Sequence, residues 1–173
     1  MEKELLFKEK QYFRQPWLWI ILIGLNGLFV FGLIKQIVFG SPFGSKTVSN
    51  NVLVIVTLFT FLLSFMFAQL RLETNITKDG IYVRFFPFQL TFKFYPWNKI
   101  KESFVRQYSP IGEYGGWGLR GLGKNRALNV SGNKGIQLVT DDGLKLLIGT
   151  QKSDEATKVL EYSGHLTKLV SLS

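Results

Sequence analysis

The pattern of hydrophobic positions changes near residue 70. Before it, two long apolar runs, residues 17–34 and 52–70, are almost free of charge. Each run is close to the ~20 apolar residues that a helix needs to cross the hydrocarbon core of a bilayer. The interval between the runs contains Gly40, Pro42 and Gly44, which is typical of a short polar connection. The pattern therefore predicts a transmembrane hairpin of two antiparallel helices.

After residue 70, short runs rich in Thr, Val, Ile, Phe and Tyr alternate with turn residues, which is typical of β-strands. Asp79-Gly80 predicts a tight hairpin turn, because these residues tolerate positive φ angles. In residues 89–95 polar and apolar side chains alternate, so Lys93 and Tyr95 should share one face. The expected strands number seven: 72–77, 81–86, 89–95, 100–108, 127–131, 136–140 and 144–148.

The C-terminal part of the chain has helical periodicity. Ser153 is expected to cap a helix, and acidic residues follow it in the first turn. Gly164 should interrupt the helix, because glycine is a poor helix former, and Leu169 is expected to face a core. The predicted fold class is α+β: a transmembrane helical hairpin, then a seven-stranded antiparallel β-sandwich or barrel with a C-terminal α-helix.

The elements divide the chain into five segments: an N-terminal segment 1–16, a first membrane helix 17–39, an extracytoplasmic loop 40–51, a second membrane helix 52–70 and a domain 71–173. Lys and Arg are concentrated at the outer ends of the helix pair. Cytoplasmic flanks of membrane helices are enriched in these residues. We therefore expect a two-pass protein of the cell membrane with both termini in the cytoplasm. Asn26 is expected to hydrogen-bond to the partner helix, and a homo-oligomer is a further expectation.

The composition argues against several kinds of site. The chain has no cysteine, and His165 is its single histidine, so we expect no metal site. Residues 116–121 match G-x-G-x-x-G and residues 118–124 match G-x-x-x-x-G-K, but a strand rather than a helix is predicted to follow. Asn125 also replaces the Ser or Thr that would bind magnesium. Glu113 has no evident partner for acid–base chemistry. Because the sequence shows neither a nucleotide-binding motif in the right context nor a catalytic pair, we expect no cofactor and no enzyme.

Three sequence motifs follow the helices in order: Lys78-Asp79-Gly80-Ile81, Pro96-Trp97-Asn98-Lys99-Ile100 and Leu147-Ile148-Gly149-Thr150. With this order the chain resembles bacterial membrane-anchored proteins with pleckstrin-homology-like (PH-like) domains. That resemblance implies antiparallel sheets of four and three strands, closed at one end by a C-terminal helix. Trp97 and Ile100 are expected to plug one end of the sandwich.

A second resemblance is carried by Tyr114-Gly115-Gly116-Trp117-Gly118 together with Asn129-Val130-Ser131-Gly132-Asn133. These residues resemble an uncharacterised family of small two-span bacterial membrane proteins. The resemblance implies a fold and a location but no catalytic residues.

Residues 71–173 carry 15 Lys or Arg and 9 Asp or Glu. This excess of positive charge is suited to binding nucleic acid or an anionic lipid surface. For a domain tethered to a bilayer, lipid headgroups are the simpler partner, and we expect no binding of nucleic acid.

Residues 109–134 are too many for a minimal hairpin and mix aromatic with basic side chains. The candidate interaction residues are Tyr114, Trp117, Arg120, Lys124 and Arg126. This segment can present an anchor to another protein, or it can press aromatic rings into the membrane interface while its cations meet phosphates. A third interpretation is structural, with the Trp117 ring covering the domain's own core.

The leading hypothesis is a non-enzymatic, membrane-anchored adaptor or assembly module that binds another membrane or cytoplasmic protein. The alternative is an anionic-lipid-binding domain that lies on the membrane surface. A small membrane-bound enzyme is the third hypothesis.

Overall fold

The computed structural model describes residues 4–44, 48–121 and 123–167. Within these ranges the chain folds as two compact units: residues 13–69 form one, and the residues on either side of them form the other. The first unit is helical, and the second is rich in sheet and ends in a helix. The expected mixture of apolar helices, sheet and C-terminal helix is confirmed. Leu169, which we expected to face the core, lies outside the described residues.

Two long apolar helices make up the helical unit. They are α1, Pro16–Leu33, which a π-helical turn at Ile34–Val38 continues, and α2, Asn50–Gln69. Pro16 begins α1. The first N–H groups of a helix have no hydrogen-bond acceptor within the helix, so proline, which lacks an N–H, is well tolerated there. Both helices are long enough and apolar enough to cross a membrane. The apolar runs therefore predicted the helices to within a few residues.

Polar side chains join the two helices. The Asn26 side chain donates a hydrogen bond of 2.6 Å to the Ser64 hydroxyl, as expected for contact with the partner helix. Thr57 and Thr60 are buried, and their hydroxyls donate to backbone carbonyls of their own helix. These bonds satisfy polar groups that apolar surroundings would leave without a partner.

The first sheet is a four-stranded antiparallel meander. Its strands, in spatial order, are β1 (Leu5–Tyr12), β2 (Arg71–Thr77), β3 (Gly80–Phe86) and β4 (Lys93–Pro96). The hairpin predicted at Asp79-Gly80 joins β2 to β3. β4 is shorter than the strand predicted over 89–95, because Gln89 folds back onto Phe85. The Gln89 amide donates to the Phe85 carbonyl at 2.8 Å, and its side-chain oxygen accepts from the Phe85 amide at 3.1 Å.

The strand β1 was not predicted. It lies within residues 1–16, which we expected to be separate from the domain 71–173. Instead it pairs with β2 from Leu5, opposite Thr77, to Tyr12, opposite Arg71. The sheet-rich unit is therefore discontinuous in sequence, and the helical unit is inserted between two strands that pair with each other.

Side chains of β1 also attach it to the second half of the domain. Phe7 is buried in the core. The buried Glu9 carboxylate accepts hydrogen bonds of 2.6 Å from the Thr150 hydroxyl and 2.8 Å from the Gln151 amide. Gln11 donates to the Gly149 carbonyl at 2.7 Å. The first strand is thus an integral part of the domain.

The second sheet has five strands. In spatial order they are β5 (Ile100–Gln107), β8 (Lys134–Thr140), β9 (Lys145–Gly149), β7 (Asn125–Asn129) and β6 (Gly118–Arg120). β5, β8 and β9 form an antiparallel meander. β7 lies parallel to β9, and β6 pairs antiparallel with β7, so these two strands form a hairpin added at the edge of the meander. The described residues form nine strands, rather than the seven expected, because β1 and β6 were missed.

Two shorter helices complete the unit: α3, Pro110–Tyr114, and α4, Ser153–Tyr162. α4 buries Ala156 and Leu160. Ser153 is its first helical residue and not the N-cap as predicted, because the cap position belongs to Lys152. The helix ends before Gly164, as expected.

Trp97 begins a short 3₁₀ turn between β4 and β5. It is buried, and its indole N–H donates to the Thr77 carbonyl at 3.1 Å. Its ring stacks on His165, with centroids 4.0 Å apart. Burial lowers the pKa of His165, so the imidazole is neutral at pH 7. Trp97 is therefore a packing residue of the sheet-rich unit.

Candidate functional site

The segment predicted to be an interaction loop begins with α3. Ser109 caps this helix by accepting a hydrogen bond from the Gly112 amide at 3.2 Å. α3 turns back toward β5 and brings Glu113 within 2.7 Å of Arg106. Glu113, for which the sequence shows no evident partner, thus forms an ion pair with Arg106, which is not an acid–base pair. The hydrogen bonds from Arg106 and from the Ser109 amide hold the pKa of Glu113 below its ordinary value.

The aromatic residues of the segment attach it to the second sheet. Tyr114 packs edge-on against the buried Tyr108, with ring centroids 6.0 Å apart. Trp117 is half-buried, and its indole N–H donates to the Gly132 carbonyl at 3.0 Å. Both rings make these contacts inside the domain. Tyr114 and Trp117 therefore have a structural role in the predicted loop.

Asn129 fixes the hairpin of β6 and β7 to the rest of the sheet. It is fully buried, and its amide donates to the Tyr108 hydroxyl at 2.9 Å. Its side-chain oxygen accepts from the Gly118 amide at 2.8 Å. Sequence reasoning did not give Asn129 this role, since a polar residue in a strand gives no sign of whether it faces water.

A cleft of about 250 Å³ lies between β4, at the edge of the first sheet, and the hairpin of β6 and β7. Because side chains alternate between the two faces of a strand, Lys93 and Tyr95 share one face of β4, and Arg126 and Leu128 share one face of β7. These are the faces that line the cleft. The lining residues are Gln89, Lys93, Tyr95, Leu119, Arg120, Gly121, Gly123, Arg126, Leu128 and Leu146. Hereafter we refer to this site as the basic cleft.

The basic cleft has positive side chains and no acidic lining residue. Among the described residues, no carboxylate forms an ion pair with Lys93, Arg120 or Arg126. The Nε–H of Arg120 donates to the Trp117 carbonyl at 2.9 Å, and that of Arg126 donates to the Gly123 carbonyl at 2.7 Å. These bonds orient the two guanidinium groups, whose terminal N–H groups can still bind an anion.

Tyr95 adds a neutral hydrogen-bond donor. Burial raises the pKa of its phenol, and although Arg126 opposes this shift, the pKa stays above its ordinary value. The hydroxyl is therefore protonated at neutral pH. Leu128 and Leu146 are buried and give the cleft an apolar floor. The site thus offers cations and a hydroxyl above an apolar surface.

A family model described as a family of unknown function (DUF6141) matches residues 1–154. The chain belongs to this family. No curated protein matches it. The matched residues of this DUF6141 chain include the helical unit, all of the described strands and the lining of the basic cleft.

The five predicted interaction residues of the DUF6141 chain separate into two groups. Arg120 and Arg126 line the basic cleft. Lys124 donates instead to the Asp142 carbonyl, and Tyr114 and Trp117 make the contacts described above. Sequence reasoning missed Lys93 and Tyr95 as site residues. Their shared face on β4 was predicted, but nothing in the sequence placed β4 opposite the hairpin.

The two glycine motifs of the DUF6141 chain do not form a phosphate loop. Gly118–Arg120 is β6, and Asn125–Asn129 is β7, so the segment that matches the motifs contributes to an antiparallel hairpin. A nucleotide loop needs a strand followed by a helix whose N-terminus receives the phosphate.

Proposed function

We propose that this DUF6141 protein is a non-enzymatic, membrane-anchored adaptor whose basic cleft binds an acidic segment of another protein. The observation that carries the proposal is the cleft itself, in which Lys93, Arg120 and Arg126 lack carboxylate partners among the described residues. These three cations are exposed in a cleft without an acidic lining residue, so they are free to attract an anion from outside the chain.

The proposed location is the cell membrane, with α1 and α2 as the two spans. Pairing of β1 with β2 supports an even number of crossings, since the residues just before α1 and just after α2 then belong to one sheet. Lys and Arg beside the outer ends of the helices support the cytoplasm as the side that holds the domain and both termini.

The domain is proposed to be PH-like and bacterial. The arrangement that supports a PH-like fold is the four-stranded meander β1–β4, the three-stranded meander of β5, β8 and β9, and the helix α4 that follows. In this interpretation the helical unit is an insertion between the first two strands. α3 and the hairpin of β6 and β7 form a second insertion, and that insertion supplies one wall of the basic cleft.

Size and polarity favour a peptide as the ligand. Sites for whole small molecules usually enclose ~300–1,000 Å³, and the basic cleft is smaller at about 250 Å³. It can hold one or two side chains. Leu128 and Leu146 suit an apolar residue, and the cations suit neighbouring carboxylates. β4 and β6 are also the edges of their sheets, where an extended peptide can add main-chain hydrogen bonds.

The test is site-specific photo-crosslinking of the full chain in its own membranes. A photoreactive residue replaces Leu119, which lines the basic cleft and is 50% exposed. A second chain carries the same residue at Ile111, which is 70% exposed and lies outside the cleft. We expect a discrete protein adduct from position 119 only, joined to an acidic segment of the captured protein.

Charge reversal provides the specificity control. Arg126→Glu should reduce the adduct about tenfold, because one unfavourable charge contact costs on the order of 1.4 kcal/mol. Lys158→Glu, at an exposed position of α4, is the matched reversal and should leave the adduct unchanged. Capture of lipid alone, equal capture from Ile111 or an adduct insensitive to Arg126→Glu would contradict the proposal.

A further inference from the structure

The turn between β3 and β4, residues 87–92, holds two large apolar side chains in solvent. Phe88 is 63% exposed and Leu90 is 71% exposed. The Gln89 hydrogen bonds to Phe85 shape the turn, and Arg84 donates to the Leu90 carbonyl at 3.1 Å. We call Phe88 and Leu90 the apolar tip. Large apolar side chains that lie close together and are exposed to solvent are typical of a contact surface.

A cluster of cations lies next to the apolar tip on one face of the first sheet. Lys10, Arg71 and Arg84 all contact the Glu73 carboxylate. One carboxylate among three cations leaves an excess of positive charge. The Arg71 guanidinium also lies 4.1 Å from the centroid of the Phe86 ring, at the end of β3 where the turn begins.

The apolar tip and the connections to the helical unit are at the same end of the first sheet. Tyr12, Arg71 and Phe86 lie side by side in the register of β1, β2 and β3. At this end β1 continues toward α1 through residues 13–15, and only Leu70 separates α2 from β2. β3 leaves the sheet here and enters the turn that carries the tip.

We propose that the apolar tip inserts into the membrane interface while the cation cluster contacts anionic phospholipid headgroups. This inference rests on the proposed membrane insertion of α1 and α2 and is independent of the basic cleft. Phe and Leu side chains gain from burial at the acyl boundary, and Lys and Arg are attracted by the negative surface of the cytoplasmic leaflet. The covalent connections keep this end of the sheet within reach of the surface.

The test uses the full chain reconstituted into vesicles of phosphatidylcholine and phosphatidylglycerol. Because the chain has no cysteine, a single environment-sensitive fluorophore can be attached at Leu90→Cys. Ile111→Cys is the matched control, with exposure of 70% against 71%. Ile55→Cys, an exposed site on α2, reports insertion of the helices. Quenching by spin-labelled lipid is the measurement.

We expect lipid quenching at position 90 to exceed that at position 111 by about threefold or more, as an interfacial apolar group requires. Strong quenching at 55 with equal quenching at 90 and 111 would overturn the tip proposal and leave the anchor intact. Absence of quenching at 55 would overturn the anchor and the tip proposal together. Removing phosphatidylglycerol should lower the quenching at 90 about twofold, and an unchanged value would overturn the role given to the cations.

Discussion

Glu73 shows how one residue organises the end of a sheet. It is 8% exposed and lies between Lys10 on β1 and Arg84 on β3, with Arg71 also in contact. Burial raises the pKa of Glu73, but the hydrogen bonds from Arg84, Arg71 and Lys10 outweigh burial and hold the pKa below its ordinary value. A carboxyl whose pKa is depressed by folding stabilises the protein above its unfolded-state pKa, and this contribution disappears as the pH falls through the folded-state pKa.

Glu73→Gln should therefore lower the free energy of unfolding at pH 7 by about 2 kcal/mol, because charge-assisted hydrogen bonds are lost in a nearly buried position. The difference from the wild-type chain should begin to shrink below the ordinary Glu pKa of about 4.3, where Glu73 of the unfolded chain becomes neutral. It should vanish only below the lower pKa of the folded state. Denaturant unfolding of the detergent-solubilised chain at pH 7 and pH 3, followed by Trp fluorescence, measures both values.

Glu155→Gln is the control for that experiment. Glu155 pairs with Lys152 on the surface of α4, and exposed pairs contribute little to stability. We expect no change in unfolding at either pH. A Glu73→Gln effect of equal size at pH 7 and pH 3 would contradict the account based on the carboxylate charge.

At the scale of elements, the basic cleft depends on the hairpin of β6 and β7. Gly121 follows β6 with φ of +83°, and a Cβ atom there would lie 2.1 Å from the Asn125 carbonyl oxygen. Gly121→Ala should open the hairpin and abolish the crosslink expected from position 119. Gly164→Ala is the matched control outside the basic cleft: its φ is +74°, but a Cβ atom meets nothing within 4 Å, so it should cost only about 1 kcal/mol. Equal crosslinking by both variants would contradict this dependence.

Among the elements that the sequence predicted, β3 and α4 show a clear apolar period. β3 buries Ile81, Val83 and Phe85, and α4 buries Ala156 and Leu160. β1 lacks such a period, because its inward positions are Phe7, Glu9 and Gln11, and two of these are polar. Its burial depends on Thr150, Gly149 and Gln151, partners far along the chain that no local pattern reveals.

The basic cleft was predictable only in part, for a similar reason. Arg120 and Arg126 were found because they lie in an unusually long basic and aromatic segment. Lys93 and Tyr95 join them across a gap between two sheets. Strand alternation predicts which face a side chain is on, but the packing of one sheet against another determines what that face meets.

At the scale of the whole molecule, the insertion between β1 and β2 predicts that the domain can be separated from the helices. Tyr12 and Arg71 pair directly, so replacing residues 13–70 with Asn-Gly should close an ordinary two-residue hairpin. We expect this chain to be monomeric without detergent and to unfold in a single cooperative transition. Gel filtration and circular dichroism measure the two properties.

The comparison is the fragment 71–173, which matches the domain limits expected from the sequence but lacks β1. Loss of Phe7 from the core and of the Glu9 hydrogen bonds should destabilise it by about 4 kcal/mol or more. We expect aggregation or a much lower melting temperature. A fragment 71–173 as stable as the joined chain would show that β1 is dispensable.

The inserted helices also determine the order in which the domain can be made. β1 leaves the ribosome early, but its neighbour β2 does not begin until Arg71, after both helices have been synthesised. The chain is made from its N-terminus, so β1 must wait without a ladder partner while the two helices are synthesised. Lys8, Glu9, Lys10 and Gln11 keep the waiting strand compatible with water. The polar composition that made β1 hard to predict thus suits a strand that is translated before the helices and paired only after them.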